Sequence, residues 1–124
     1  MIYENRIYTA VPGKLGAIND RFANITIDYF NQYDIGMMGF WTDEIGDSNK
    51  LTYILSFDSM ADRDQKMTAF QADRAWQEVR AETEQDGPFV ARVLNTFLQL
   101  TSYSPQPKIS TNVQELRTYE AVPG

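Results

Sequence analysis

The chain opens on a run rich in β-branched and aromatic residues, 2–9, that stops at Pro12-Gly13 and so predicts a strand closed by a turn. Over 14–33 the apolar residues Leu15, Ile18, Phe22, Ile25 and Tyr29 recur three and four positions apart, the spacing that lays one stripe along a helix. Residues 35–45 predict a second strand that runs into Gly46-Asp47-Ser48-Asn49, a cluster of turn formers, and 51–57 predict a third. The short loop between them makes an antiparallel hairpin. Ser59, with Asp62 three residues later, carries the signature of a capped helix start. Met67, Phe70, Trp76 and Val79 supply the buried side of that helix, with Asp73-Arg74 as the candidate break between two shorter helices ending before Gly87-Pro88. Residues 90–100 predict the last strand.

Strand, helix, strand, strand, helix, strand is the order of the ferredoxin-like βαββαβ motif, an α+β fold with one antiparallel sheet and its helices on a single face. The other face is expected to be covered as well, because both sides of the strands are apolar: Met37, Gly39 and Trp41 alternate with Met38 and Phe40, and Tyr53, Leu55 and Phe57 with Ile54. The simplest second cover is another copy of the same sheet.

The motif Glu4-x-Arg6-x-Tyr8-x-Ala10-Val11-Pro12-Gly13 returns at the far end of the chain. A shift of 111 residues aligns Ile2 with Val113 and Gly13 with Gly124, and seven of the twelve positions are identical: Glu4/Glu115, Arg6/Arg117, Tyr8/Tyr119, Ala10/Ala121, Val11/Val122, Pro12/Pro123 and Gly13/Gly124. Residues 1–105 therefore read as one domain. Residues 106–124 read as a proline-containing linker and a repeat of the first strand: an extra strand, one swapped onto a partner, or the start of a truncated second repeat.

Composition narrows the chemistry. The 124 residues include 17 acidic and 11 basic side chains, a net charge of -6 that disfavours nucleic acid and anionic lipid as partners. With no cysteine and no histidine, thiol nucleophiles, disulfides and histidine-ligated metal or haem are excluded. Any acid–base work falls to Asp, Glu, Tyr or Lys, and no cofactor is expected. The absence of a signal-like leader or a bilayer-length apolar run gives a cytoplasmic, bacterial protein as the expectation.

The chain resembles NIPSNAP domains over nearly all of residues 2–105. The resemblance rests on Glu4-x-Arg6-x-Tyr8 with Pro12-Gly13-Lys14-Leu15, on Arg21-Phe22, on Gly39-Phe40-Trp41-Thr42, on residues 59–63, on the spaced set Phe70, Asp73 and Trp76, and on Thr101-Ser102-Tyr103-Ser104-Pro105. Asn5 stands where the family usually has leucine, whereas the second copy has Leu116; Arg74 stands where proline often follows the aspartate. The resemblance implies a dimeric α+β barrel in which two ferredoxin-like units join sheet to sheet. Small bacterial members have no established reaction, and kindred barrel families include cofactor-free monooxygenases and haem-degrading enzymes, activities that fold alone does not transfer.

Strand alternation places Glu4, Arg6 and Tyr8 on one face, where Arg6 offers a donor fork to a carboxylate or enolate and Tyr8 a hydroxyl donor. Trp41, Tyr53, Phe57 and Trp76 are the candidate aromatic wall, against the plainer reading that they are core. Arg63 joins the candidates, against the plainer reading that it pairs with Asp62 or Asp64. The ligand set is thus Arg6, Tyr8, Trp41, Tyr53, Arg63 and Trp76. Asp43, Glu44 and Asp47, or Glu82 and Glu84, lack the spacing of a calcium loop and read as solvated charge. The expected function is a NIPSNAP-like homodimer with a small-molecule pocket; the alternatives are a cofactor-free monooxygenase-like enzyme and a non-enzymatic assembly protein.

Overall fold

Strand β1 (Ile2–Ala10) lies inside the sheet, and that position decides where the polar residues of the opening motif go. The computed structural model describes residues 1–124. Strands β2 (Gly36–Thr42), β3 (Lys50–Phe57) and β4 (Val90–Leu98) complete a four-stranded sheet in the order β2-β3-β1-β4, antiparallel throughout. The order of elements is the ferredoxin-like βαββαβ, as the pattern predicts. Ile2, Ala10, Leu51, Leu55 and Phe57 line one face of the sheet and form a core with Ile18, Phe22, Phe30, Met67, Phe70 and Trp76 from the helices. Both helical segments therefore cover the same face.

The first helical segment is not uniform. Helix α1 (Leu15–Arg21) passes into a π turn (Phe22–Thr26) and then helix α2 (Ile27–Gln32). The buried residues are Ile18, Phe22, Thr26 and Phe30, each four after the last. At 3.6 residues per turn such a row would drift around the helix, and the wider π turn absorbs the excess and returns Phe30 to the core. The Thr26 hydroxyl donates to the carbonyl of Arg21 at 3.3 Å. Ile25 and Tyr29, placed in the stripe by a regular helical period, are only partly buried beside it.

The second helical segment breaks where the sequence places it. In α3 (Met60–Gln71) the Ser59 side chain accepts from the N–H of Asp62, and Asp62 returns a bond to the N–H of Asp58. In α4 (Arg74–Thr83) the Asp73 carboxylate accepts from the N–H of Trp76, so the break holds without proline at position 74. A side-chain acceptor for an orphan N–H defines a helix start independently of ring constraint. Asp73 also accepts from the Tyr33 hydroxyl, tying α4 to the end of α2. In the β2–β3 turn, Asp43 accepts from the N–H of Asp47 at 2.9 Å and pairs with Lys50 at 3.4 Å, a structural use of that acidic cluster.

Strand β2 departs from simple alternation. Met37 pairs with Leu55 and Phe40 with Tyr53, whereas Gly39 pairs with Ile54 and Trp41 with Thr52, with a bulge between Met37 and Gly39. The extra residue turns Met37 and Phe40 toward the helices and Gly39 and Trp41 toward the opposite face. Beyond β4, residues 99–124 contain no helix or strand. Part of this segment lies over the face away from the helices: Ile109 sits against Gly39, where an added Cβ would come within 2.7 Å of its Cδ1, and Gln114 accepts from the Trp41 indole at 2.6 Å. No helix is long and apolar enough to cross a membrane.

Candidate ligand cleft

Alternation along β1 sends Glu4, Arg6 and Tyr8 toward the helices, into a layer that is otherwise apolar. Glu4 is fully buried. Its carboxylate accepts from Arg6 Nη1 at 2.8 Å, from Arg63 Nε and Nη2 at 3.1 Å each, and from Asn95 Nδ2 at 2.7 Å. Asn95 reaches it because β4 pairs with β1 in a register that sets Asn95 opposite Arg6. Burial alone would raise the Glu4 carboxyl, but the bonds from Arg63 and the charge of Arg6 outweigh it and hold the group below its ordinary value.

Arg6 spends its fork in three directions: Nη1 on Glu4, Nε on the Tyr53 hydroxyl at 2.6 Å, and Nη2 on the Tyr8 hydroxyl at 3.2 Å. Tyr53 in turn donates to Tyr8 at 2.6 Å. Burial, followed by the Tyr8 neighbour, pushes the Tyr53 phenol well above its ordinary value against the opposing pull of Arg6, so it remains a donor at neutral pH. Burial of Arg6 works against its charge, yet its phenol and carboxylate neighbours keep its pKa above the ordinary value. Tyr8 accepts two hydrogen bonds and gives its own proton to no protein acceptor.

These groups border a cleft of about 260 Å³ between sheet and helices. Arg6, Tyr8 and Tyr53 form its polar floor, Phe22, Phe30, Met67, Phe70 and Trp76 its apolar walls, and Thr26 of the π turn also faces it. Arg21, Arg80 and Glu84 stand at its edge. Glu84 accepts from Arg21 at 3.2 Å and from Arg80 at 3.1 Å, and the Arg21 guanidinium lies 4.7 Å from the Phe89 ring centroid and 5.7 Å from that of Trp76. The rings brace one another: Phe22 and Tyr53 are 5.1 Å apart, Phe40 stacks on Tyr53 at 5.1 Å, and Phe70 and Trp76 are 5.0 Å apart.

A family model, NIPSNAP, matches residues 3–105, which is most of the chain and takes in every residue of the cleft. The chain belongs to the NIPSNAP family. Solved structures with the same fold include an uncharacterised NIPSNAP domain protein from Burkholderia xenovorans (TM-score 0.74, 22% identity, 86% of this chain and 100% of that one). They also include a NIPSNAP family protein from Agrobacterium tumefaciens str. C58 (TM-score 0.75, 21% identity, 85% of this chain and 97% of that one). A third, also from Agrobacterium tumefaciens str. C58, is a NIPSNAP family protein with unknown function (TM-score 0.74, 24% identity, 85% of this chain and 92% of that one). At these identities the likeness is one of fold. No curated protein matches the chain significantly.

Within this NIPSNAP domain, Arg6, Tyr8, Tyr53 and Trp76 of the sequence-derived set meet at the cleft. Arg63 stands behind it, bonded to Glu4 and, at 3.2 Å, to its neighbour Asp64. Trp41 is elsewhere. The β2 bulge carries it to the opposite face, where it meets Gln114, and Phe40 takes the place beside Tyr53 that the candidate aromatic wall gave to Trp41. Phe57 is core. Asn95 is the polar residue the sequence reading missed, and its signal was an asparagine inside an apolar strand, a poor strand former that needs a partner. Arg21 and Arg80 were also missed as cleft residues, because helical charge ordinarily reads as solvated surface.

Proposed function

We propose that this NIPSNAP domain binds a small cyclic organic anion, a carboxylate or enolate, in the cleft between sheet and helices. One observation carries the reading: the cleft floor presents the mostly buried Arg6 guanidinium beside a Tyr8 hydroxyl that gives its proton to no protein group, and the one buried carboxylate near them, Glu4, is shared with Arg63, which also pairs with the exposed Asp64. A mostly buried guanidinium that shares its only carboxylate with a second one favours a further anion from solution. Arg21 and Arg80 at the edge, balanced by Glu84 alone, add to the same field in a chain whose net charge is -6. The free Tyr8 proton would be donated to the anion's oxygen, and the Phe22, Phe30, Phe70 and Trp76 rings match an apolar ring.

Thermal-shift titration with aromatic carboxylates and their neutral amides tests this. Carboxylates raise the melting temperature, the amides do not, and Tyr8→Phe weakens the effect about tenfold, the value of one hydrogen bond to a charged group. Equal shifts from acid and amide, or full binding by Tyr8→Phe, would overturn the reading.

The same proposal includes a homodimer. On the sheet face away from the helices, Leu94 and Leu98 of β4 are about half exposed, and a second sheet is the simplest partner for such a surface. Sedimentation equilibrium of the full chain checks this, and a strict monomer would contradict it.

A further inference from the structure

Residues 113–121 align with the nine residues of β1 and match them at four, Glu115, Arg117, Tyr119 and Ala121, yet they pair with no strand. They nevertheless keep the side-chain ladder of β1. Arg117 Nε lies 3.3 Å from Glu115 Oε1 and its guanidinium 5.3 Å from the Tyr119 ring centroid; in β1 the Arg6–Glu4 distance is 2.8 Å and the Arg6–Tyr8 distance 5.6 Å. Contacts between residues two apart match the spacing of alternate side chains on one side of a strand. Val113, Leu116, Tyr119 and Val122 are all largely exposed along it.

The sheet has a matching vacancy. Strand β4 is an edge: β1 occupies one side, and the other presents unpaired backbone groups. It is also apolar on both faces, with Val93 45%, Leu94 48%, Phe97 42% and Leu98 43% exposed. A long apolar edge of this kind is a template for another strand. The strand that β4 already selects in this chain, in antiparallel register, is the one residues 113–121 copy. Its own tail does not supply it, because Ile109 and Gln114 rest on β2, at the opposite edge and about 14 Å away across three strand spacings. We infer that residues 113–121 add as a strand to the free β4 edge of a second copy of this chain. The repeated motif is then an adhesive between copies, independent of the ligand cleft.

Leu116→Pro with Thr118→Pro in the full chain removes two backbone donors from an exposed segment outside the folded core. The dissociation constant for self-association, measured by sedimentation, rises about tenfold or more, and circular dichroism stays unchanged. Because the chain has no native cysteine, a second measurement mixes a Thr118→Cys chain with a Thr96→Cys chain and joins them with a short bis-maleimide. A linked heterodimer forms with Thr96→Cys and not with Asn24→Cys on the outer helical surface. Unchanged self-association of the proline variant, a full chain that is monomeric at all concentrations, or cross-linking as efficient at Asn24 as at Thr96 would each overturn the inference. So would a chain bearing both Thr96→Cys and Thr118→Cys that closes on itself as a monomer.

Discussion

Replacing Glu4 by glutamine keeps the shape of the side chain and removes the only negative charge between Arg6 and Arg63. Two guanidinium groups, with side chains 12% and 21% exposed, are left facing a neutral amide whose NH2 end is itself a donor. Breaking a buried ion pair by removing one partner costs about 3–5 kcal/mol, because the remaining charge is uncompensated. For a domain of this size the melting temperature should fall by about 10–20 °C. Arg63→Met is the informative comparison. It leaves Glu4 and Arg6 as a balanced pair still bonded to Asn95, so its cost should be about 1.5–3 kcal/mol, that of losing hydrogen bonds to a charged group. Urea unfolding of both variants measures the difference. Equal costs for Arg63→Met and Glu4→Gln, or a cost under about 1 kcal/mol for Glu4→Gln, would contradict the role of Glu4 as the shared partner of the two guanidinium groups. The pH dependence gives a second check. The folded-state pKa of Glu4 lies below its ordinary 4.5, so its contribution is complete above that value and is lost as pH falls through the folded-state pKa. The stability gap between the native chain and Glu4→Gln should therefore be constant near neutrality and close on acidification.

Three further outcomes follow from particular packing features. Deleting exposed Asn24 from the π turn rotates α2 by about 100° and withdraws Phe30 from the core, so urea unfolding should show a loss of about 3–5 kcal/mol. Asn5→Leu replaces an amide whose buried Oδ1 has no hydrogen-bond partner, and should raise stability by about 1–3 kcal/mol in thermal unfolding. Trp41→Phe should leave aromatic-carboxylate affinity unchanged while Trp76→Phe lowers it, with equal effects contradicting the placement of the two indoles on opposite faces.

Much of the architecture was legible because it rests on local chemistry. Alternation in β1, the turn formers at residues 46–49, the Ser59 cap and the break at Asp73-Arg74 act within a few residues, and each gave the element found. Two local irregularities were not legible. The π turn and the β2 bulge each insert one residue into a regular period. Nothing in the run from Phe22 to Thr26 or at Met38 distinguishes the insertion from an ordinary helix or strand until the core demands Phe30 and Phe40.

The sequence by itself determined the βαββαβ order, the family motifs, the repeated motif and the presence of Glu4, Arg6 and Tyr8 on one face, all consequences of spacing along the chain. Tertiary structure alone decided what those three residues meet. The β1–β4 register brings Asn95 to Glu4, α3 returns Arg63 across 59 residues of chain, and β3 sets Tyr53 between Arg6 and Tyr8. The sharing of one buried carboxylate by two guanidinium groups beneath the cleft follows from that convergence. Charge balance at a buried point depends on which distant groups pack around it, a property of the folded chain that spacing along the sequence does not carry.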